Sequence, residues 1–205
     1  MRKFLKDKAK ASLKGRWIII ILVVVINHLL TGWNATSDII ELNIGKHYSL
    51  SFNILYILMN CFLAVGLAKF NLEFAKTDGN PKISLLFCYF KYYFKTLGLS
   101  LLSILVIMIG LFLFIVPGLI LAFALSQCSY ILAEDPNIGI IECMKESILV
   151  MKGRKFDYFV LGFSFIGWGI LSILSLGIGF LFLAPYVNMT NTYFYLEAKN
   201  NPILQ

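Results

Sequence analysis

Charged residues are confined to a few short segments of this 205-residue chain. Four windows contain no Asp, Glu, Lys or Arg, namely 17–37, 47–68, 96–133 and 158–196, which together make 120 residues. A charge at the centre of a membrane helix costs about 2.5–3.5 kcal/mol, whereas a soluble helix needs polar positions along its outer face. The pattern therefore predicts helices embedded in a membrane.

Each of the two longer windows has room for two helices. A single helix over 158–196 would be about 58 Å long at about 1.5 Å per residue, and the hydrocarbon core of a bilayer is only about 30 Å thick. Pro117 with Gly118, and Gly177 with Gly179, favour a turn near the middle of each window. We expect one all-α integral membrane domain over 1–205, a polytopic bundle of six transmembrane helices at about 17–34, 50–69, 96–115, 118–133, 158–175 and 178–196.

The basic residues are distributed unevenly between the two faces that six crossings create. The segments 1–16, 69–95, 134–157 and 197–205 share one face and hold 17 of the 18 Lys and Arg residues. The opposite face, about 35–49, holds only Lys46. Because positive residues collect in cytoplasmic loops, we expect both termini inside the cell and the protein in the cytoplasmic (inner) membrane. Its composition, rich in Phe, Ile, Leu, Lys and Asn, is typical of bacteria.

The N-terminal segment 1–16 carries a net charge of +6. At helical spacing, Met1, Leu5, Ala9 and Leu13 fall on one side with lysines beside them, which favours an amphipathic helix on a leaflet of anionic lipids. The positive-inside bias already accounts for the charge, so we expect no nucleic-acid partner. The expected partners are the bilayer and its anionic lipids, with a membrane-protein partner and the oligomeric state left open.

Two inner segments are also expected to be helical. In 134–157, Asp135–Asn137 can start a helix and Gly153 can end it, with an apolar stripe formed by Ile141, Met144, Ile148 and Met151. The aromatic segment 83–95 favours either a course along the inner interface or an early start of the third transmembrane helix.

Catalytic signatures are absent from the sequence. It has no phosphate-binding loop, zinc-protease or serine-hydrolase motif, and no Asp or Glu lies within a predicted crossing. His28 and His47 would need Asp38 or Glu41 to complete a metal site, and the four cysteines form no CxxC pair. We therefore expect a protein that is not an enzyme and binds no metal or cofactor, with cysteines that serve as packing residues.

Three polar residues lie within the predicted crossings and define a possible site in the membrane interior: Asn60, Gln127 and Asn188. Pro185 removes a backbone hydrogen bond from the last helix and favours a kink there. A broken helix beside uncharged polar groups can bind a small solute, as in transporters. Alternatively, these groups only form hydrogen bonds between neighbouring helices.

Several short motifs resemble a bacterial family of integral membrane proteins known as domain of unknown function 975. They are the basic "KAKASLKGRW", the turn "FIVPGLI" followed by "YILAEDP", then "MKGRK", "FSFIGW", "GIG", "APY" and "TYFY". The resemblance is strong over 112–195 and loose over 35–95, and Phe163 stands where a leucine is common. It implies a multi-pass membrane protein without an established activity. A more distant likeness links the chain to the membrane portion of glycerophosphodiester phosphodiesterases, whose catalytic carboxylates and histidines are missing here.

These observations favour a non-enzymatic membrane protein that acts as a scaffold, as an accessory to transport or to the cell envelope, or in self-protection against membrane-active peptides. The alternative is a small-solute transporter that uses the last helix near Pro185.

Overall fold

The computed structural model describes residues 2–31, 46–77, 81–175 and 177–201, and all regular structure in these ranges is helical. The predicted all-α class is therefore confirmed. Trp33, Asp38 and Glu41 lie outside the described residues. The helices are α1 Arg2–Leu13, α2 Trp17–Thr31, α3 Lys46–Lys76, a 3₁₀ helix Ile83–Tyr92, α4 Tyr93–Leu113, α5 Ile115–Leu125, α6 Cys128–Glu134, α7 Ile140–Val150, α8 Lys155–Phe163, α9 Ile166–Leu174 and α10 Ile178–Asn200.

Three of the described helical stretches are long and apolar enough to cross a membrane. They are Ile83–Leu113 with 31 residues, and Ile115–Glu134 and Lys155–Leu174 with 20 residues each. Trp17–Asn27 is apolar but shorter. The length and apolar character that a membrane crossing requires are thus confirmed for these three stretches, and the full count of six crossings stays a prediction.

The first of the two predicted hairpins is formed by α4 and α5, but its turn lies earlier than expected. The chain reverses at Phe114, which is extended with φ −160° and ψ 147°. Pro117 is the third residue of α5, where the first backbone N–H groups have no helical acceptor, so its missing N–H costs nothing. The predicted boundary at Pro117 and Gly118 was therefore wrong by three residues.

The second hairpin turns where the sequence predicted. Gly177 has φ +87°, in the left-handed region that a residue with a side chain rarely adopts, and it precedes α10. Gly179 has a different role, because a Cβ atom there would lie 2.7 Å from the Cα atom of Ser172. One glycine makes the turn and the other allows α9 and α10 to pack closely.

Two helices predicted as continuous are interrupted near their middles. The 118–133 helix breaks between α5 and α6 at Ser126, and the 158–175 helix breaks between α8 and α9 at Ser164. At each break a serine Oγ donates to the carbonyl three residues earlier, that of Phe123 at 2.8 Å and that of Leu161 at 2.5 Å. A serine hydroxyl that bonds to a nearby carbonyl in this way competes with the α-helical hydrogen bonds of the backbone. The spacing of apolar residues along the sequence does not reveal this competition.

The inner part of α3 extends beyond the predicted crossing at 50–69. It continues to Lys76, with Lys69 paired to Glu73 at 3.4 Å, one helical turn apart. The 3₁₀ helix packs along it and then continues directly into α4. A Cβ atom on Gly66 would lie 2.0 Å from the carbonyl oxygen of Leu86, so this contact between backbones requires glycine. The aromatic segment is therefore continuous with α4, and whether it runs along the inner interface or within the membrane stays a prediction.

Helix α10 contributes to two hydrophobic clusters among the described residues. One cluster joins α1, α2 and the end of α3 to Met189 and Phe194, and the other joins α3, α6 and α7 to Tyr195. The apolar side predicted for α1 is confirmed, since Leu5, Ala9 and Leu13 are at most 1% exposed. That side packs against protein, however, and only the lysine-rich side faces outward.

The helix predicted within 134–157 is α7, and Gly153 with φ +72° follows its end as expected. Only two of the four residues in the predicted apolar stripe are buried. Met144 and Met151 are buried, but Ile141 is 63% and Ile148 41% exposed. Cys143 and Ser147 are buried in their place, because small side chains let α7 lie close to α5 and α6.

Candidate functional site

The most extensive polar contact network in the described ranges surrounds Glu134, the last residue of α6. Its Oε1 atom accepts a hydrogen bond from Lys76 Nζ at 2.6 Å. Its Oε2 atom accepts from Tyr195 Oη at 2.7 Å and from Lys199 Nζ at 2.5 Å. Lys199 also lies 3.8 Å from Glu146. We call these five residues the Glu134 cluster. It connects α3, α6, α7 and α10 at the end of the bundle that carries the basic segments.

The carbonyl groups at and just after the end of α6, beside this cluster, accept hydrogen bonds from side chains of the 3₁₀ helix and of α4. The last carbonyl groups of a helix have no helical donor. Tyr89 Oη donates to the carbonyls of Leu132 at 3.1 Å and Ala133 at 2.7 Å, and Lys95 Nζ donates to that of Pro136 at 2.6 Å. The inner end of this helix is therefore anchored by both charge and hydrogen bonds.

The buried face of α7 carries small side chains that also form hydrogen bonds. Ser147 Oγ donates to the carbonyl of Ala124 at 2.7 Å, next to the break between α5 and α6. Cys143 Sγ donates to the carbonyl of Cys128 at 3.4 Å. The contact with Cys128 and burial together hold the pKa of the Cys143 thiol well above its ordinary value. Cys143 therefore packs α7 closely against α6.

The Glu134 cluster suits a structural role. Two ammonium groups face two carboxylates, so the cluster is electrically balanced, and each Glu134 oxygen has a donor. No group of three or more His, Cys, Asp or Glu side chains in the described ranges is arranged to hold a metal ion. The side chains of His28 and His47 lie outside the described part. What the arrangement does is hold four helices in register.

The sequence contains one usable signal for this cluster. Glu134 is the charge that closes the window 96–133, and the predicted topology places it at the inner membrane edge, on the face of the basic segments. Its partners are 58 and 65 residues away in the chain. Such distant pairings cannot be read from local periodicity.

The three residues of the predicted polar site occupy different environments. Gln127 is fully buried at the break between α5 and α6. Its Nε2 atom donates to Ser126 Oγ at 2.8 Å, whereas its Oε1 atom has no partner among the described residues. Asn60 in α3 and Asn188 in α10 are half-buried. None of the three lines either of the two cavities characterised below, so the shared site stays a prediction.

Pro185 lies inside α10, which continues as one helix from Ile178 to Asn200. Two threonines after it donate to carbonyls one turn earlier, Thr190 to that of Tyr186 at 2.7 Å and Thr192 to that of Asn188 at 2.9 Å. These hydroxyls thereby donate within α10.

Two cavities lie beside α10. One, of about 340 Å³, is lined by aromatic residues around the break between α8 and α9, with Asn191 as a polar member. The other, of about 380 Å³, lies between the N-terminal segment and the α9–α10 hairpin, with Lys10 and Trp17 on one wall.

Several basic residues of the N-terminal segment bind the bundle. Lys6 Nζ lies 4.3 Å from the ring centroid of Phe165 and 3.4 Å from the carbonyl oxygen of Ser164. The guanidinium of Arg16 lies 4.2 Å from the ring centroid of Phe74 and donates to the carbonyl of Thr77. The ring centroids of Trp17 and Phe182 are 6.1 Å apart. These contacts place the start of α2 beside the start of α10.

Comparison with known proteins gives a family and no function. No curated protein and no solved structure matches the chain. The distant likeness to the membrane portion of glycerophosphodiester phosphodiesterases therefore stays a prediction. A family described as "Protein of unknown function (DUF975)" matches residues 102–202. This range contains most of the first hairpin, all of the second and Glu134, so the resemblance seen in the motifs is confirmed: this part of the chain matches the DUF975 family.

Proposed function

We propose that this protein is a multi-pass protein of the cytoplasmic membrane, without catalytic activity, that acts as a scaffold or as an accessory to a transport or envelope process. The tip of the α4–α5 hairpin carries this proposal. Leu111, Phe112, Leu113, Phe114, Ile115 and Val116 are all between 40% and 92% exposed. In water these six side chains would cost on the order of 10 kcal/mol, and hydrocarbon removes that cost.

The length and ends of this hairpin support a full crossing. The 21 residues of α4 measure about 32 Å at about 1.5 Å per residue, close to the bilayer core of about 30 Å. Its inner end lies beside the Lys95–Pro136 contact and the Glu134 cluster, and its outer end is the apolar tip. The family match over 102–202 contains most of both hairpins and four of the five residues of the Glu134 cluster, which agrees with a shared membrane architecture.

The second hairpin, α9–α10, is proposed to enter the membrane without crossing it. In a six-crossing arrangement Trp17 lies at the inner end of the first helix, and Phe182 lies near the outer end of the last. Their rings are 6.1 Å apart, so a membrane core does not separate them. The Lys6 ammonium also contacts Ser164 in the middle of the predicted 158–175 crossing, where a charge costs about 2.5–3.5 kcal/mol.

A re-entrant hairpin removes both conflicts. In this arrangement α8 lies along the inner interface with Phe156, Phe159 and Phe163, which share one exposed face, directed into the lipid. Only α9 and the start of α10 then dip into the bilayer. Both termini stay inside, because a re-entrant hairpin and a crossing hairpin return the chain to the same face. The number of Lys and Arg residues on the inner face is therefore the same in the re-entrant and the crossing arrangements.

The membrane proposal is tested by fractionation and by reporter tags. The full-length protein should remain in the membrane pellet after an alkaline carbonate wash. Tags after Gln205 and near Glu41 should report opposite compartments. Recovery as a soluble monomer without detergent would refute the membrane assignment, and two tags in one compartment would refute the proposed topology.

Gln127 provides the one observation that favours a small-solute transporter instead, since its buried Oε1 atom has no partner among the described residues. A buried acceptor without a donor is costly and is typical of sites that await a ligand or water. The combined variant Asn60→Leu and Gln127→Leu separates the two functions. A scaffold should still complement a deletion strain under envelope stress, whereas a transporter that uses these amides should not.

A further inference from the structure

The larger cavity described above is an open cleft of about 380 Å³ between the N-terminal segment and the α9–α10 hairpin. We call it the Lys10 cleft. Its volume falls within the range of roughly 300–1,000 Å³ that is typical of ligand sites. One wall carries Lys10 and Trp17, and the other carries Trp168, Ile178, Phe182 and Tyr186. It opens toward the apolar surface of the hairpin, since Trp168 and Ile178 are 52% and 62% exposed.

The interior of the Lys10 cleft offers little to a polar ligand. Its two serine hydroxyls already donate within α9, Ser172 to the carbonyl of Trp168 and Ser175 to that of Ser172, both at 2.8 Å. The remaining walls are aliphatic and aromatic apart from Lys10 and the Tyr186 hydroxyl. An occupant must therefore be apolar over most of its length.

Lys10 is the one cation on the walls of this cleft, and its ammonium group makes no ion pair, hydrogen bond or ring contact with the described residues. Its neighbours in α1 differ. Lys6 contacts Phe165 and Ser164, and Lys8 Nζ lies 5.0 Å from the ring centroid of Tyr193. An ammonium group that makes no ion pair, at the rim of an apolar cleft, is complementary to an anionic amphiphile.

We propose that the Lys10 cleft binds an anionic phospholipid of the inner leaflet, with an acyl chain between Trp17 and the α9–α10 hairpin and the phosphate at Lys10. This inference rests on the proposed membrane location and goes beyond it by naming a ligand. Trp17 and Trp168 lie where tryptophan is enriched, at the boundary between head groups and hydrocarbon. Lys10 in the same cleft is then at the depth of the phosphates, where a basic residue favours anionic lipid.

The two tryptophans of the cleft make the proposal measurable. The chain has three tryptophans, and Trp33→Phe leaves only Trp17 and Trp168. This full-length variant is reconstituted into phosphatidylcholine vesicles that contain equal mole fractions of brominated phosphatidylglycerol or brominated phosphatidylcholine. Bromine quenches tryptophan fluorescence on contact. We expect brominated phosphatidylglycerol to quench at about one-fifth of the concentration that the neutral lipid requires, the preference expected from one lysine near the membrane surface.

Three variants separate the cleft from the general positive charge of α1. Lys10→Gln should abolish the preference for phosphatidylglycerol, and Lys10→Arg should restore it. Lys14→Gln is the matched control, because Lys14 is exposed directly after the end of the same helix but does not line the cleft. It should leave the preference intact. Circular dichroism verifies that each variant keeps its helix content.

Each other outcome refutes a distinct statement. Equal quenching by both lipids, or a preference unchanged in Lys10→Gln, refutes the anionic-lipid site while the membrane location stands. If the protein floats with the vesicles but neither lipid quenches its tryptophan fluorescence, a second copy or another chain covers the cleft. That result also refutes the lipid site. A protein that does not float with vesicles refutes the proposed function itself.

Discussion

Gly110 of α4 and Gly118 of α5 face each other across the first hairpin, with no space for a side chain on either. A Cβ atom on Gly110 would lie 3.0 Å from the Cα atom of Gly118, and one on Gly118 would lie 2.7 Å from the backbone nitrogen of Leu111. Helices in lipid associate through such close backbone contacts, because hydrocarbon provides no hydrophobic driving force between them.

Gly118→Ala should therefore weaken this hairpin. The added methyl group meets backbone atoms that cannot rotate away, and overpacking of this kind costs about 1–3 kcal/mol. The expected result is a lower melting temperature of the detergent-solubilised protein, followed by circular dichroism. Gly167→Ala in α9 is the matched control, because its Cβ would meet nothing within 4 Å and alanine favours a helix. Equal melting temperatures for the two variants would contradict the close contact.

Removal of the Glu134 carboxylate should be more damaging than removal of an ordinary surface charge. Glu134→Gln leaves Lys76 and Lys199 without their shared acceptor and weakens the bond from Tyr195. The side chain of Glu134 is only 17% exposed, whereas those of the lysines are 46% and 41% exposed. The expected loss is about 2 kcal/mol, between the values for exposed and for buried pairs, measured as a drop in melting temperature.

The Lys69–Glu73 pair provides the control for this prediction. It joins residues one turn apart in α3 at 3.4 Å, with side chains 27% and 35% exposed. Glu73→Gln should cost no more than about 0.5 kcal/mol, as is usual for a pair on one helix. If both variants melted at the same temperature, the Glu134 cluster would not hold the helices together.

The contrast between these two pairs shows what the sequence could predict. Charge-free windows located the long apolar helices, and the glycine at position 177 located a turn, because both depend on residues close together in the chain. The Glu134 cluster was missed because its members come from positions 76, 134, 146, 195 and 199. Their proximity is a consequence of packing, which requires the completed fold.

Helix α7 shows a second limit of the sequence. Hydrophobicity favoured Ile141 and Ile148 as the packed face, yet α7 packs through Cys143 and Ser147, which are smaller and form hydrogen bonds to α5 and α6. At a close helix contact, side-chain volume and the chance to satisfy a carbonyl outweigh hydrophobicity. The exposed isoleucines are then free to face lipid.

The buried thiol of α7 should be resistant to alkylation. Contact with Cys128 and burial raise the pKa of Cys143. Below this raised pKa, a smaller fraction of Cys143 than of a free cysteine is in the reactive thiolate form. With the membrane-permeant reagent N-ethylmaleimide, Cys143 should stay unmodified between about pH 7 and 9 in the folded protein. Mass spectrometry of peptides should find exposed Cys88 modified first, and full denaturation should make both react. Equal rates in the folded protein would contradict the burial of α7.

The depth of the second hairpin is the remaining prediction, and it separates a re-entrant from a crossing arrangement. The cysteines at 61, 88, 128 and 143 are first replaced by alanine, and a single cysteine is then introduced at Ser175 beside the turn or at Glu41 in the predicted external segment. A membrane-impermeant maleimide is applied to intact cells. Glu41→Cys should be modified, and Ser175→Cys should not, because the contact between Trp17 and Phe182 keeps this turn from the outer surface.

The control for this experiment is modification after solubilisation in sodium dodecyl sulfate, where both cysteines should react fully. That result excludes loss of the thiol as the reason for protection at position 175. Modification of Ser175→Cys from outside, as fast as that of Glu41→Cys, would place the turn on the outer face and restore the six-crossing arrangement. The close contact of Trp17 with Phe182 would then have to break in the membrane, and the Lys10 cleft would lose the wall on which its lipid site depends.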